Sequence, residues 1–67
     1  MQANLLKAEI VANEKTIPSL ADEVGIKPKT MYNKINGQSQ FTVDEVKRIC
    51  SVLRIEDPVK KCLIFLT

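Results

Sequence analysis

The sequence predicts an all-α domain of five short helices. Apolar residues recur at spacings of three and four along several windows, and no stretch alternates strictly between apolar and polar residues as a half-buried strand would. The two glycines and three prolines among the 67 residues fall where helices are expected to begin or end. The length suits one domain covering residues 1–67, near the lower limit for folding without disulfides or metals.

The first two helices are predicted from their apolar faces and their boundary residues. One covers residues 2–13 and the other about residues 17–24. Thr16 can cap the second helix, Pro18 is tolerated in its first turn, and Gly25 can end it in a left-handed conformation. The residues expected to face the core are Ala3, Leu6, Ile10 and Asn13 in the first helix and Leu20, Ala21 and Val24 in the second.

A third helix is predicted over about residues 28–35. Pro28 suits its first position, and Asn36-Gly37 ends it. Met31 and Ile35 would form its buried side. Lys27 occupies the N-cap position, where Ser, Thr or Asp would cap better. Either Lys27 contacts a base or phosphate, or the cap is simply weak.

The fourth helix carries the strongest local pattern in the chain. Thr42 and Glu45 form a T-x-x-E capping box, and Phe41 with Val46 forms the hydrophobic staple around it. The residues expected to face the core are Val46, Ile49, Cys50 and Leu53.

A last helix over about residues 58–66 opens with Asp57-Pro58. Val59, Cys62, Leu63 and Leu66 form one apolar stripe, with Ile64 and Phe65 outside it. Apolar residues on so many sides of the helix are compatible with two arrangements. Either the helix closes the core from an unusual angle, or it pairs with a second copy of the chain, and we favour pairing. The candidate dimer contacts are Leu63, Ile64, Phe65 and Leu66.

Charge is distributed unevenly along the chain. The net charge is +2, but the segment 26–40 contains Lys27, Lys29 and Lys34 and no carboxylate. Lysines on a short helix are commonly just solvated. Together with the neighbouring hydroxyl and amide side chains, however, these lysines suit a polyanion whose bases offer polar edges.

Other classes of protein fit the sequence poorly. There is no His, and Cys50 and Cys62 lack zinc-ligand spacing, so we expect two reduced core thiols, although spacing alone leaves a disulfide open. No apolar run reaches the roughly 20 residues of a membrane span, and the N-terminus does not resemble a signal peptide. Without an evident base, activated nucleophile or phosphate-binding glycine loop, we expect no enzyme, cofactor, metal or small-molecule ligand.

The segment LADEVGIKPKTMYNKING resembles the helix-turn-helix of the phage repressor and Cro (Xre-like) family. The resemblance rests on Ala21, Gly25, Ile26, Met31 and the closing Asn36-Gly37. The following FTVDEVKRICSVLRI is similar to the fourth helix of that family, so the resemblance covers roughly residues 2 to 56.

The resemblance implies a compact five-helix, lambda-repressor-like DNA-binding domain whose third helix enters the major groove of double-stranded DNA, with the protein acting as a dimer on a palindromic operator. Pro28 departs from the pattern because it can make no polar base contact. The implied base contacts are Lys27, Lys29, Thr30 and Asn33, and the implied phosphate contacts are Thr16, Ser19, Lys34, Asn36, Gln38, Ser39 and Gln40.

The favoured function is therefore a sequence-specific transcriptional regulator in the cytoplasm of a bacterial or phage-infected cell. The chain lacks the large C-terminal domain of long repressors, which favours a Cro-like or otherwise minimal regulator. The alternative is a protein-interaction module, antirepressor or antitoxin-like, that keeps the helical fold, because fold alone does not fix function.

Overall fold

The computed structural model describes residues 1–65, and these residues form five α-helices and no strand. The predicted all-α class is confirmed, and the second and third helices have the predicted bounds. None of the helices in the described part is long and apolar enough to cross a bilayer. The helices are α1 (Ala3–Ala12), α2 (Ile17–Val24), α3 (Pro28–Ile35), α4 (Val43–Val52) and α5 (Pro58–Phe65).

Side chains cap the starts of α2, α4 and α5. At α2 the hydroxyl of Thr16 accepts from the Ser19 amide at 3.2 Å, and the hydroxyl oxygen of Ser19 accepts from the Thr16 amide at 3.1 Å. Thr42 and Glu45 form the matching pair at α4, with distances of 3.1 and 2.8 Å. The carboxylate of Asp57 accepts from an amide in the first turn of α5 at 2.9 Å. The three predicted caps are confirmed, and such caps typically contribute about 1 kcal/mol each.

One backbone pattern ends each helix from α1 to α4. A residue with positive φ follows the helix, and the next amide donates to a carbonyl five positions earlier. Gly25 (φ 78°) and Gly37 (φ 87°) hold this position after α2 and α3, as predicted, while Glu14 (φ 57°) and Arg54 (φ 55°) hold it after α1 and α4. The closing amide–carbonyl bonds are Lys15 to Ile10, Ile26 to Ala21, Gln38 to Asn33 and Ile55 to Cys50, between 2.8 and 3.0 Å.

The apolar faces of all five described helices meet in one core. α2 packs against both α3 and α4, and α1 packs against α5. Ala21 is fully buried, as expected for a small residue where helices approach closely. Asn13 ties the end of α1 to the end of α4 by donating to the Leu53 carbonyl at 3.2 Å. The buried residues are Leu6, Ile10, Leu20, Ala21, Val24, Ile26, Met31, Ile35, Ile49, Cys50, Leu53, Ile55 and Ile64.

In α5 the residues outside the apolar stripe, not those in it, face the core. Ile64 is only 1% exposed, and Phe65 packs edge to face on Phe41 with ring centroids 6.2 Å apart. Val59 and Leu63 are 65% and 51% exposed. Ile64 is therefore a core residue of this chain and not a surface for a second copy. Of the other candidate dimer contacts, Leu63 is exposed, Phe65 is half-buried, and Leu66 lies outside the described residues.

The N-terminal segment and α1 both contact α5. The Gln2 amide donates to the Ile64 carbonyl at 2.7 Å, and Lys60 pairs with Glu9 of α1 at 2.5 Å. Lys61 lies part-buried on the same side as Ile64, so the inward face is less uniformly apolar than the stripe that the sequence favours.

The two cysteines have different environments. Cys50 is buried in the core, as predicted, but Cys62 lies exposed on α5, which corrects its prediction as a core thiol. Both are free thiols, so no disulfide joins them.

Candidate nucleic-acid interface

The turn between α2 and α3 fixes where α3 lies. Gly25 adopts the left-handed conformation that ends α2, and Ile26 returns to the core with 9% of its surface exposed. Arg48 of α4 donates from Nη1 to the Val24 carbonyl at 3.3 Å. A cation at a helix C-terminus is favourable because unpaired carbonyls gather there. The turn is thus held by backbone geometry, by an apolar plug and by a side chain from α4.

Packing of one side of α3 leaves its opposite side toward solvent. Met31 and Ile35 are buried at 0% and 2% exposure, which confirms the predicted core side of the helix. We call the α3 face the set formed by Lys27, at the start of the helix, and by Lys29, Thr30 and Asn33, on its outward side. The first three are exposed and Asn33 is half-buried. All four predicted base-contact residues are therefore at least partly exposed to solvent.

The two lysines of the α3 face keep their charge uncompensated. Within residues 1–65, neither Lys27 nor Lys29 forms an ion pair. Lys27 lies at the N-cap of α3, in an extended conformation and without a side-chain capping bond, as predicted. Asp22 of α2 lines the same shallow depression as Lys27, of about 320 Å³, so one carboxylate lies near the start of the face.

Lys34 has a different environment from the other lysines of α3. Its ammonium lies 2.5 Å from the Glu45 carboxylate, and its side chain is only 12% exposed. It also lies 5.9 Å from the centroid of the Phe41 ring, within cation–π range. The contacts of Lys34 therefore join α3 to α4 rather than add charge to the α3 face, although the sequence suggested a phosphate contact.

Glu45 holds this junction together. Its Oε1 accepts from both the Lys34 ammonium and the Thr42 amide. The hydrogen bond from Lys34, with smaller contributions from Thr42, holds the pKa of the Glu45 carboxyl below its usual value, although burial acts in the opposite direction. Sequence reasoning identified Glu45 as a cap but missed its bond to α3, since the partner lies 11 positions away.

The loop after α3 offers polar groups beside the α3 face. The predicted phosphate contacts Asn36, Gln38, Ser39 and Gln40 are all exposed. Amide and hydroxyl side chains of this kind commonly donate to phosphate oxygens. The loop is anchored at both ends, by Gly37 in its left-handed conformation and by half-buried Phe41.

Thr16 and Ser19 are exposed at the start of α2, but their hydroxyls differ in what they can offer. The Ser19 hydroxyl donates to the Thr16 carbonyl at 3.0 Å, so its proton is used within the turn. The Thr16 hydroxyl accepts from the Ser19 amide and keeps its own proton for an outside acceptor. Thr16 is therefore the better placed of the two to donate to a phosphate.

Comparison of the chain with protein-family models, with characterised proteins and with solved structures gives no match. A function must therefore be argued from the α3 face and its surroundings.

Proposed function

We propose that this chain is a sequence-specific regulator of transcription that binds double-stranded DNA with α3 in the major groove. The observation that carries the proposal is the α3 face itself. Two uncompensated lysines, a hydroxyl and an amide lie together on the solvent side of a helix whose other side is locked into the core.

The dimensions of α3 suit this role. An α-helix with its side chains is about 10–12 Å across, and the major groove is about 12 Å wide, so α3 can lie in it. Lys27 and Lys29 can donate to guanine O6 and N7, and Asn33 can pair with adenine through two hydrogen bonds. Each good base contact of this kind contributes about 1–3 kcal/mol of discrimination.

Phosphate contacts would position α3 in the groove without reading the sequence. The hydroxyl of Thr16 and the loop after α3 would supply uncharged donors for these contacts. The proposed phosphate contacts on exposed residues are Thr16, Asn36, Gln38, Ser39 and Gln40.

A helix this short reads few base pairs, so we propose that two copies bind paired half-sites about one helical turn apart. The exposed side of α5 is the candidate contact between copies. Val59 and Leu63 present apolar surface there, and neither is needed to close the core.

The proposal is tested by selecting bound sites from a pool of random duplexes and measuring the affinity of the recovered site across a salt series. We expect a palindromic site and an affinity that falls steeply with salt, because phosphate contacts release counterions. No binding at low salt, or an affinity independent of salt, would contradict the proposal.

A protein-interaction module is the second candidate. It is favoured by the burial of Lys34 against Glu45, which leaves the α3 face with only two lysines. A protein partner that binds tightly, together with no DNA binding at low salt, would support this candidate instead.

A further inference from the structure

A groove lies between the end of α3 and its following loop, the start of α4, and α5. Its volume is about 970 Å³. Phe41, Val46 and Phe65 contribute apolar surface inside it, and Val43 contributes an apolar edge. We call it the α4–α5 groove. At the upper end of the usual range for ligand pockets, about 300–1,000 Å³, it is large for so small a protein.

Val43 is placed where folding does not require an apolar residue. It is the first residue of α4 and is 70% exposed, and the capping box there is formed by Thr42 and Glu45. Exposed apolar surface continuous with an apolar groove marks a site of interaction. Binding would cover Val43, whereas in the isolated chain it contacts mainly water.

The charge around the groove has one sign. Lys47 and Lys61 line it, as does Lys34, whose charge is already paired with Glu45. Among the described residues that line the groove there is no Asp or Glu. A ligand that complements the groove therefore combines bulky apolar groups with negative charge.

We infer that the α4–α5 groove binds a short acidic amphipathic helix of another protein. The apolar side of such a helix would cover Val43 and Val46 beside the Phe41–Phe65 ring pair, and its carboxylates would reach Lys47 and Lys61. Binding of an amphipathic helix in an apolar groove is a recurrent mode of peptide recognition. This inference does not rest on the proposed DNA binding, although the groove shares Asn36, Ser39 and Gln40 with the proposed phosphate contacts.

A single-stranded nucleic acid fits the groove less well. Its bases would need open aromatic faces for stacking. The Phe41 ring already has the Lys34 ammonium over it and Phe65 packed edge to face against it. The apolar interior also offers little to the polar edges of bases.

The experiment is selection from a displayed library of random peptides about 16 residues long, enough for about four helical turns, without DNA present. We expect the recovered peptides to pair Asp or Glu with Leu, Ile or Phe at helical spacing. Their amide shift perturbations on the protein should centre on Val43 and Val46. Failure to recover peptides, or recovery of basic ones, would overturn the inference.

Matched variants test the location. Val43→Glu should lower the affinity for the selected peptide by about tenfold or more. Val11→Glu, at a similarly exposed position (72%) outside the groove, should leave the affinity unchanged. Lys47→Glu should lower the affinity and Lys7→Glu should not. Equal effects of both members of a pair would overturn the inference, as would tighter binding of an oligonucleotide of thymidine than of any peptide. Self-association that Val43→Glu abolishes would assign the groove to a second copy instead.

Discussion

Lys34 and Glu45 join the end of α3 to the start of α4 through an ion pair 2.5 Å long, with side chains 12% and 16% exposed. The same carboxylate oxygen caps α4 by accepting from the Thr42 amide. One side chain thus contributes both to starting α4 and to fixing the helix that carries the α3 face.

Glu45→Gln should lower the free energy of unfolding by about 1–2 kcal/mol at neutral pH, between the values typical of exposed and of buried pairs. The pKa of the Glu45 carboxyl is lowered in the folded state, so the unfolded chain takes up the proton first as pH falls. The stabilisation is therefore present above the pKa of an unfolded glutamate, about 4.3, and is lost as pH falls through the lower folded value. Urea unfolding across this range, followed by circular dichroism, measures the difference.

Glu56→Gln is the matched control, because Glu56 is exposed and forms no ion pair within residues 1–65. It should change stability by less than about 0.5 kcal/mol. The difference in unfolding free energy between the wild type and Glu45→Gln should shrink as pH falls below about 4. A difference that stays constant would contradict the link to the Glu45 carboxyl.

The two left-handed residues that are not glycine offer a route to a more stable protein. Arg54 has φ 55°, and a side chain in this region costs roughly 1–2 kcal/mol relative to right-handed backbone. Arg54→Gly should remove most of that cost. Because glycine also gains freedom in the unfolded chain, we expect a net increase of about 0.5–1 kcal/mol in the free energy of unfolding.

Arg54→Ala separates the backbone effect from loss of the side chain, and it should bring no gain. Gly37→Ala should show the reverse of Arg54→Gly, a loss of about 0.5–1 kcal/mol, because φ is 87° and nothing lies within 4 Å of the added methyl group to cause a clash. Equal gains from Arg54→Gly and Arg54→Ala would show that the arginine side chain, not the backbone, is unfavourable.

The parts of the fold that were predictable from sequence are those encoded by neighbouring residues. Thr42 and Glu45 are three positions apart, and Gly25 ends α2 through its own backbone preference, so both boundaries were predicted correctly. The core sides of α2, α3 and α4 followed from helical spacing, because each helix has one dominant apolar side.

The differences from prediction arose where contacts with residues distant in sequence determine the environment of a side chain. Helical spacing in α5 favours the stripe with Val59 and Leu63, yet Ile64 faces the core, and Gln2 and Glu9, distant in sequence, contact this helix. Lys34 likewise resembled Lys29 in sequence, and only its position opposite Glu45 distinguishes it. The exposure of Lys29, Thr30 and Asn33 could be expected from sequence because they are neighbours in one helix whose apolar side is Met31 and Ile35.

The cysteines should differ in their reaction with a thiol reagent. Cys62 is exposed, whereas Cys50 is 5% exposed. Burial raises the pKa of the Cys50 thiol, against a smaller opposing effect of the Lys61 charge, and reaction proceeds through the thiolate. Mass spectrometry after brief alkylation should find Cys62 modified in the folded protein and both thiols modified in urea. Rapid modification of Cys50 without denaturant would contradict its placement in the core.

The proposed DNA interface contains base contacts and phosphate contacts, and substitutions of the two kinds should have different effects. Lys29→Ala and Asn33→Ala should each reduce the difference in binding free energy between the selected site and random DNA by about 1–3 kcal/mol. Both substitutions remove groups that read base edges. Gln40→Ala should weaken binding to both DNAs by a similar factor, since a phosphate contact carries no sequence information.

Substitution of Asp22 tests the same interface through an expected gain, rather than a loss, of DNA affinity. Its carboxylate lines the depression beside Lys27, and it would lie near the phosphates if Lys27 enters the groove. Asp22→Asn should therefore strengthen DNA binding at low salt, and the gain should shrink as salt rises, because screening weakens the repulsion. Asp44→Asn is the matched control, an exposed carboxylate at the start of α4 that does not line this depression. Anisotropy titrations of both variants on one duplex make the comparison. Equal gains from the two would indicate a general effect of net charge, and a loss of affinity in Asp22→Asn alone would place the DNA elsewhere.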